Sequence, residues 1–471
     1  MRIKSLAFLM ASSSLLIVAP LSAQAPRECI LDYESPTGNT RTTASELPSH
    51  RYNVFQGGGV LYRCRGQDNT IIADSSEYYG DQSVLFLIGN VHYRETKAKV
   101  DSDKMTYFQL EDRLHAEGNV NVLLQSGTTM KAPVADYYRA TPTRPLARAV
   151  ATGRPVMRIV EPNKSGRASE PINVVANYVV SEGDSLVYAS VGVEITRPDV
   201  IAKGDSAFLD NRREFARLLR NPSVQSRRDR PFTLTGGVID LYSKARVLQR
   251  VVATPQGHVL SDDLELLADT VDLRMSNDRL DRVMAWGGKG ARTVSPDREI
   301  TADSIDAIMP GQRLREVRAV RNAYANSLPD TVHVISTDRD WIRGDVIVAE
   351  FDSVAISDTA SKPTPKRIVS TGNAVSYYQL AADTRTRTIP NINYVKGKAI
   401  TILFENREVR TVDVFEEATG VYIEPAREGT TTPTPAPARA IPGVRPTVNP
   451  PPPPPPPRTA PPTGRGRRGQ Q

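Results

Sequence analysis

Ser185, Asp330 and His333 are residues of this 471-residue chain whose types could together perform ester hydrolysis. Serine chemistry needs the nucleophile at a strand-to-helix turn, beside a histidine base and an oxyanion hole. Here Gly183-Asp184-Ser185 stands where a turn between two strands is expected, and the strand-like Val187-Tyr188-Ala189 follows it. Because no helix is predicted after the serine, the sequence argues against an esterase.

Metal-dependent chemistry is not indicated either. The histidines lack the close spacing to one another, or to cysteine, that zinc sites use; they are His50, His92, His115, His258 and His333. Several recurring aspartates lack the glycine-rich spacing of calcium-binding solenoids, so turn or surface roles are expected for them; they are Asp74, Asp103, Asp269 and Asp303. No repeat has a carboxylate pair that stands out as a polysaccharide-cleaving site. We therefore expect a protein that is not an enzyme and that uses no metal or cofactor.

These residues are positioned by a structural unit that the chain repeats: one segment of the sequence occurs twice in succession. Its first copy runs from Ala73-Asp74-Ser75 to Gly89-Asn90-Val91, and its second from Val100-Asp101-Ser102 to Gly118-Asn119-Val120. In the second copy one parity is apolar and the other polar: Leu114, Ala116, Val120 and Val122 against His115, Glu117, Asn119 and Asn121. This alternation indicates a strand with one face in water. Each unit is therefore predicted to be strand, turn, strand.

Weaker copies continue the array toward the C-terminus. They share the pattern apolar-x-x-apolar-x-small and begin at Leu146, Leu248, Leu280 and Leu314. We interpret this pattern as a strand that switches sheets at a bend or bulge. Residues 352–366 and 379–390 are polar insertions expected to form surface loops, and 409–423 resembles a closing rung. About ten units of roughly 30–35 residues are expected.

The repeated Ala-Asp-Ser…Tyr…Leu-x-Ala-x-Gly-Asn-Val-x-Val resembles the organic-solvent-tolerance family, closely over residues 71–140 and more weakly to residue 425. The resemblance implies an all-β, elongated repeat β-jellyroll, a solenoid-like sandwich of strand-turn-strand rungs. It implies a periplasmic bridge that transports lipopolysaccharide to the outer membrane and shields its acyl chains in an apolar trough. It also implies end-to-end strand pairing with related jellyroll domains of inner- and outer-membrane transport components. A structural or adhesive β-solenoid that binds no lipid is the alternative.

The apolar parity supplies the predicted lipid-binding residues: Leu85, Leu87, Val91, Tyr93, Leu114, Ala116, Val120, Val122, Val251, Val283 and Val317. These residues can simply pack a core, or they can line a trough between two diverging sheets. Small residues on the same face leave room for a ligand but also fit a thin, closed sandwich; they are Ala116, Ala253, Ala285 and Ala319.

The N-terminal segment indicates export. Residues 1–25 carry Arg2 and Lys4, an apolar run and Ala23-Gln24-Ala25, the pattern of a signal peptide; Pro26 leaves cleavage or retention as an anchor open. We therefore expect a periplasmic protein, with association with the outer membrane left open. Export argues against nucleic acid as the partner of a chain whose net charge is +7.

The remaining segments complete the predicted domain plan. Residues 26–70 are expected to be an N-terminal capping rung, in which Cys29 and Cys64 form a disulfide or remain two free thiols. Residues 71–425 form the repeat array. Residues 426–471 are a proline-rich, basic tail that cannot join a sheet and is expected to be disordered and extended. It is interpreted as a spacer or as a basic contact to cell wall or anionic glycolipid.

Overall fold

The computed structural model of the protein describes residues 29–36, 38–160, 171–227, 231–261, 264–276, 279–352, 363–382, 386–405 and 408–425. The predicted signal peptide and proline-rich tail lie outside these residues. The chain divides into two units, Met1–Glu424 and Pro425–Gln471, and the capping rung and the repeat array both fall in the first. Among the described residues there is no α-helix, and the prediction of an all-β protein is confirmed.

Twenty-nine strands follow one another in the described chain, interrupted by short 3-10 turns at Gln109–Glu111 and Pro310–Gln312. The first fourteen are β1 Leu31–Glu34, β2 Arg41–Glu46, β3 Tyr52–Cys64, β4 Thr70–Tyr79, β5 Val84–Arg94, β6 Ala98–Phe108, β7 Arg113–Leu124, β8 Thr129–Tyr138, β9 Arg148–Thr152, β10 Val156–Ile159, β11 Ile172–Val175, β12 Tyr178–Glu182, β13 Leu186–Thr196 and β14 Val200–Asp210. The others are β15 Phe215–Leu219, β16 Ser223–Ser226, β17 Phe232–Thr235, β18 Val238–Lys244, β19 Val247–Thr254, β20 Gly257–Ser261, β21 Glu265–Ser276, β22 Arg279–Val294, β23 Arg298–Ile308, β24 Glu316–Ser327, β25 Asp340–Phe351, β26 Pro365–Leu380, β27 Asn391–Glu405, β28 Glu408–Phe415 and β29 Thr419–Ile423.

Every pairing between these strands is antiparallel, and the long strands bend near their middle. In the pairing of β6 with β7 the register is interrupted between Asp101 and Lys104, whose partners are Asn121 and Glu117. At the bend Gly118 and Asn119 have φ values of +75° and +47°, in the left-handed region that glycine and asparagine tolerate best. A Cβ on Gly118 would collide with the Asp103 carboxylate, so the bend requires glycine here.

The recurring aspartates hold these bends. Asn119 Nδ2 donates to Asp103 Oδ2 at 2.9 Å, and Asn90 Nδ2 donates to Asp74 Oδ2 at 2.8 Å. A later copy repeats the contact, with Asn322 Nδ2 donating to an Asp303 carboxylate oxygen at 3.0 Å. The Gly-Asn pair bends one strand, and the aspartate of the preceding strand fixes the asparagine. This is the physical reason for the repeated Asp and Gly-Asn motifs.

The bends divide the ladder into two half-sheets. Half-sheet A begins with β2 and the first half of β3 and ends with β28, whereas half-sheet B begins with β1 and the second half of β3 and ends with β29. In the middle of the chain several strands break completely at the bend, and the pairings then close into rings. One ring contains eight strands, in the order β14, β15, β18, β19, β21, β20, β17 and β16.

One hydrophobic cluster runs through both half-sheets. It begins at Cys29 and Val60 and continues to Ile400 and Ile402. Leu114 in half-sheet A and Val120 in half-sheet B both belong to it, because the bend between them keeps both side chains on the inner face.

The ends of the array are edge strands. In the described chain β1 and β2 pair only with β3, and β28 and β29 pair only with β27. The predicted late insertions are shorter than expected, because β26 already begins at Pro365 and extends to Leu380. No helix among the described residues is both long and apolar enough to span a lipid bilayer.

Candidate ligand-binding site

All eleven residues predicted to line the interior are buried. Nine of them are at most 1% exposed: Leu85, Leu87, Val91, Tyr93, Leu114, Ala116, Val120, Val122 and Val251. Val283 and Val317 are 9% and 8% exposed. The alternating pattern therefore identifies the inner face, and the burial differs between the two halves of the array.

In the first half, a buried polar network joins the outer ends of the two half-sheets. The network, here called the clasp, consists of Tyr93, Glu95, Tyr107, Asp112, Tyr137 and Arg139. Arg139, at the end of β8 in half-sheet A, contacts Glu95 between β5 and β6 in half-sheet B at 3.1 Å. Its guanidinium also lies 3.5 Å from Asp112. The side chains of Arg139 and Glu95 are only 12% and 7% exposed.

The clasp tyrosines act as hydrogen-bond donors within this network. Tyr93 donates to Glu95 at 2.8 Å, Tyr107 donates to Asp112 at 3.0 Å, and Tyr137 donates to the second Glu95 oxygen. Burial, followed by the nearby carboxylates, raises the pKa of all three phenols. They therefore remain protonated at neutral pH, and every polar group of the clasp has a partner.

Other contacts join the two half-sheets along the same side. Gln109 Nε2 donates to the carbonyl oxygen of Cys29 at 2.6 Å, across the N-terminal rungs. Farther along, the Arg197 guanidinium, beside Asp199, donates to Ser243 Oγ at 3.0 Å and to the carbonyl oxygen of Arg246. These contacts and the clasp bridge the two half-sheets along one side of the first half.

The C-terminal half is less tightly covered. Several inner-face residues there are only partly buried while packing on the core: Ile300, Ala307, Met309, Leu314, Ala325, Ile368 and Val395. The half-buried Arg339 contacts Asn326 at 2.7 Å and the carbonyl oxygen of Asp297 at 3.1 Å, and all three belong to half-sheet B. This arginine therefore fastens turns within one half-sheet instead of joining the two.

A cavity of about 500 Å³ lies at the N-terminal end of the core. Its lining includes Leu31 and Tyr33 of β1, Val54 of β3, and the turn residues Arg51 and Gln109. Cys29 beside it forms a disulfide with Cys64, with the Cα atoms 4.9 Å apart, which connects the start of β1 to the end of β3. A smaller cavity, about 40 Å³, lies near the Arg197 contacts.

The residues considered for ester hydrolysis are not brought together by any described contact. Ser185 is 9% exposed in the turn between β12 and β13, and its carbonyl oxygen accepts a hydrogen bond from Asn211 N at 2.8 Å. His333 instead pairs with Asp330 at 2.6 Å. No group of three or more potential metal ligands occurs within the described ranges.

The clasp and the N-terminal cavity could not be found from the repeat. Glu95 and Arg139 are 44 residues apart and stand in turns, where the alternating pattern carries no information. The sequence contains one sign of the clasp: tyrosines occur at otherwise aliphatic inner-face positions, at Tyr93, Tyr107 and Tyr137.

Comparison with protein-family models finds no match for the sequence, and comparison with curated proteins finds no significant match.

Proposed function

We propose that the protein is a periplasmic lipid-binding bridge for lipopolysaccharide transport and assembly at the outer membrane, built as a repeat β-jellyroll. The observation that carries this proposal is the hydrophobic cluster that continues from Cys29 to Ile402 through both half-sheets. Each CH₂ group moved from water into such an interior contributes about 0.8 kcal/mol. A continuous apolar face can hold acyl chains while the sugar and phosphate groups remain in water.

We assign the acyl chains first to the C-terminal half, where the inner face is only partly covered. Val283 and Val317 belong to this half, together with the partly buried Ile300 and Ala325. Apolar contacts are non-directional, so a chain can slide along such a face without catalysis. In the first half the chains reach Leu114 and its neighbours only when the clasp opens.

Photo-crosslinking tests this assignment. A photoreactive amino acid at position 317 should crosslink lipopolysaccharide or phospholipid in cells, whereas the same group at position 114 should crosslink weakly. Replacing Arg139 by glutamine should increase crosslinking at position 114. Position 115, on the outer face, is the matched control. Equal labelling at positions 115 and 317 would contradict an internal lipid path.

Mass spectrometry of protein purified without detergent gives an independent test. Lipopolysaccharide or phospholipid should accompany the wild-type chain. Val283→Asn should reduce the bound lipid several-fold, because an unpaired amide on the inner face is costly to bury. The control Arg282→Gln changes the neighbouring outer-face residue, which pairs with Asp306. Lipid-free wild-type protein would oppose the transport proposal.

The second candidate function is a structural or adhesive scaffold. It is favoured by the first half of the array, where the eight predicted inner-face residues from Leu85 to Val122 are at most 1% exposed and the clasp lies beside them. A scaffold needs this packing and no lipid. A chain whose interior is closed by crosslinking offers no path for lipid. If cells that carry this chain behave like cells with the wild-type protein, the result would support the scaffold.

We also propose that the edge strands pair end to end with related jellyroll domains of inner- and outer-membrane components. Unpaired edges offer backbone donors and acceptors to another strand. β29 is exposed along its whole length, and its Val421 and Ile423 are 55% and 52% exposed. Val421→Lys should weaken association with such a partner in co-purification, whereas Arg41→Lys on the opposite edge strand β2 should not.

A further inference from the structure

We propose that the N-terminal cavity binds a single acyl chain that carries an anionic head group. This site lies at the N-terminal end of the interior, and it does not require the transport function. The cavity lies between β1 of half-sheet B and the turn ends of half-sheet A. Its volume of about 500 Å³ is within the range of roughly 300–1,000 Å³ that small-molecule sites occupy.

Part of the cavity wall is apolar and aromatic. Leu31 and Val54 supply aliphatic surface, and the rings of Tyr33, Tyr52 and Tyr78 surround them. Tyr33 packs against Tyr62 with the ring centroids 5.6 Å apart. Such a surface favours the hydrocarbon part of a ligand, because removing apolar area from water is the main gain on binding.

The polar groups inside the cavity already satisfy one another. The hydroxyl groups of Tyr62 and Ser76 both donate to Gln56 Oε1, the serine at 3.2 Å. Burial raises the pKa of Tyr62 to about 12, so this phenol stays a neutral donor. Gln109 donates to Cys29 O at 2.6 Å and accepts from Tyr78 at 3.3 Å. A polar ligand would have to break these hydrogen bonds, whereas a hydrocarbon chain leaves them intact.

Arg51 supplies the positive charge at the rim. Its guanidinium donates to the carbonyl oxygen of Gly80 at 2.9 Å and lies 3.4 Å from Ser83 Oγ. Both partners are neutral, and within the described chain Arg51 forms no ion pair. A guanidinium has five N–H donors, and those that remain are suited to a carboxylate or phosphate. The side chain therefore selects an amphiphile whose head group is anionic.

Titration calorimetry of the full chain, stripped of lipid, tests this site with palmitate, lysophosphatidylglycerol and hexadecanol as probes. Palmitate and lysophosphatidylglycerol share the chain and the negative charge, and their relative affinities show whether a carboxylate or a phosphate is preferred. Hexadecanol has the chain without the charge. We expect both anionic probes to bind at one site, about tenfold more tightly than hexadecanol, from charge-assisted hydrogen bonds.

Two rim variants locate the bound molecule. Arg51→Gln should weaken the anionic probes about tenfold and leave hexadecanol unchanged. Leu110→Glu should also weaken the anionic probes, because Leu110 lines the cavity, is 73% exposed and tolerates a charge. The matched control is Arg41→Gln on β2, an exposed arginine outside the lining. Thermal unfolding of each variant shows that it is folded.

The outcomes separate this site from the proposed function. Probe binding that both rim variants leave unchanged would overturn the cavity proposal. No binding of any probe to the wild-type chain would also overturn it. If crosslinking at position 317 still occurs in that case, the interior lipid path stands without the cavity. Binding of all three probes with equal affinity would contradict the proposal that Arg51 selects an anionic head group.

Discussion

Single residues determine where the strands bend. Gly118 has a φ of +75° and lies against the Asp103 carboxylate, so it meets two requirements that only glycine satisfies together. The neighbouring Asn119 also has a positive φ and donates to the same carboxylate. The three residues act as one unit, although two strands supply them.

Replacing Gly118 by alanine should therefore destabilise the protein by about 1–3 kcal/mol, from backbone strain and from displacement of Asp103. Urea unfolding followed by intrinsic fluorescence measures the change. Gly57→Ala is the matched control, since Gly57 has open space at the Cβ position and no positive φ. Equal losses in the two variants would contradict the role given to the bend.

Asp340 should make stability depend on pH. Burial raises its pKa to about 6, although the backbone N–H and the amide of Gln379 donate to its carboxylate. A carboxyl group whose pKa is higher when folded binds more protons in the native state, so its contribution decreases as pH rises from about 4 to 6. Above pH 6 the cost of ionisation is complete, at up to about 3 kcal/mol.

Asp340→Asn should consequently be more stable than the wild type at pH 7.5 and lose this advantage near pH 4. The amide oxygen can still accept the hydrogen bond from Gln379 N. Thermal unfolding at the two pH values measures the difference. The control is Asp338→Asn, for a neighbouring exposed carboxyl group. An advantage that does not change with pH would mean that Asp340 titrates normally.

At the scale of elements, the clasp decides how firmly the two half-sheets are joined. Arg139→Gln should cost about 3–5 kcal/mol, because Glu95 would remain buried without its cation. Glu95→Gln combined with Arg139→Gln should recover part of this loss, since no uncompensated charge remains. Calorimetric unfolding of the four proteins gives the coupling energy. Additive effects of the two substitutions would show that the pair is not coupled.

Elements also differ in how far the sequence could predict them. The alternation in 114–122 identified the inner face, because a strand has a fixed period of two. A turn or surface role was expected for Asp103, but its partner Asn119 was not predicted, because Asn119 lies on the next strand and 16 residues away. The clasp was not predicted either, because Glu95 and Arg139 are 44 residues apart in the sequence. Periodicity describes the face of a strand but not which turns meet in space.

At the scale of the whole molecule, protection should decrease toward the C-terminus. Stability in a repeat array depends on contacts between neighbouring units, and units with a less buried core open more easily. Hydrogen exchange followed by mass spectrometry should show slower exchange in β5 to β8 than in β23 to β26, although both groups consist of long, bent strands. Uniform protection would show that the array unfolds as one cooperative unit.

The antiparallel ladder also affects how the chain can fold as it is made. Each strand finds its partners within a few strands along the chain, so the first rungs can assemble before the later strands become available. β3 and β4 then serve as a template onto which each new hairpin adds. A growing array of this design adds strands only at the C-terminal edges of its two half-sheets, which limits the new surface open to aggregation.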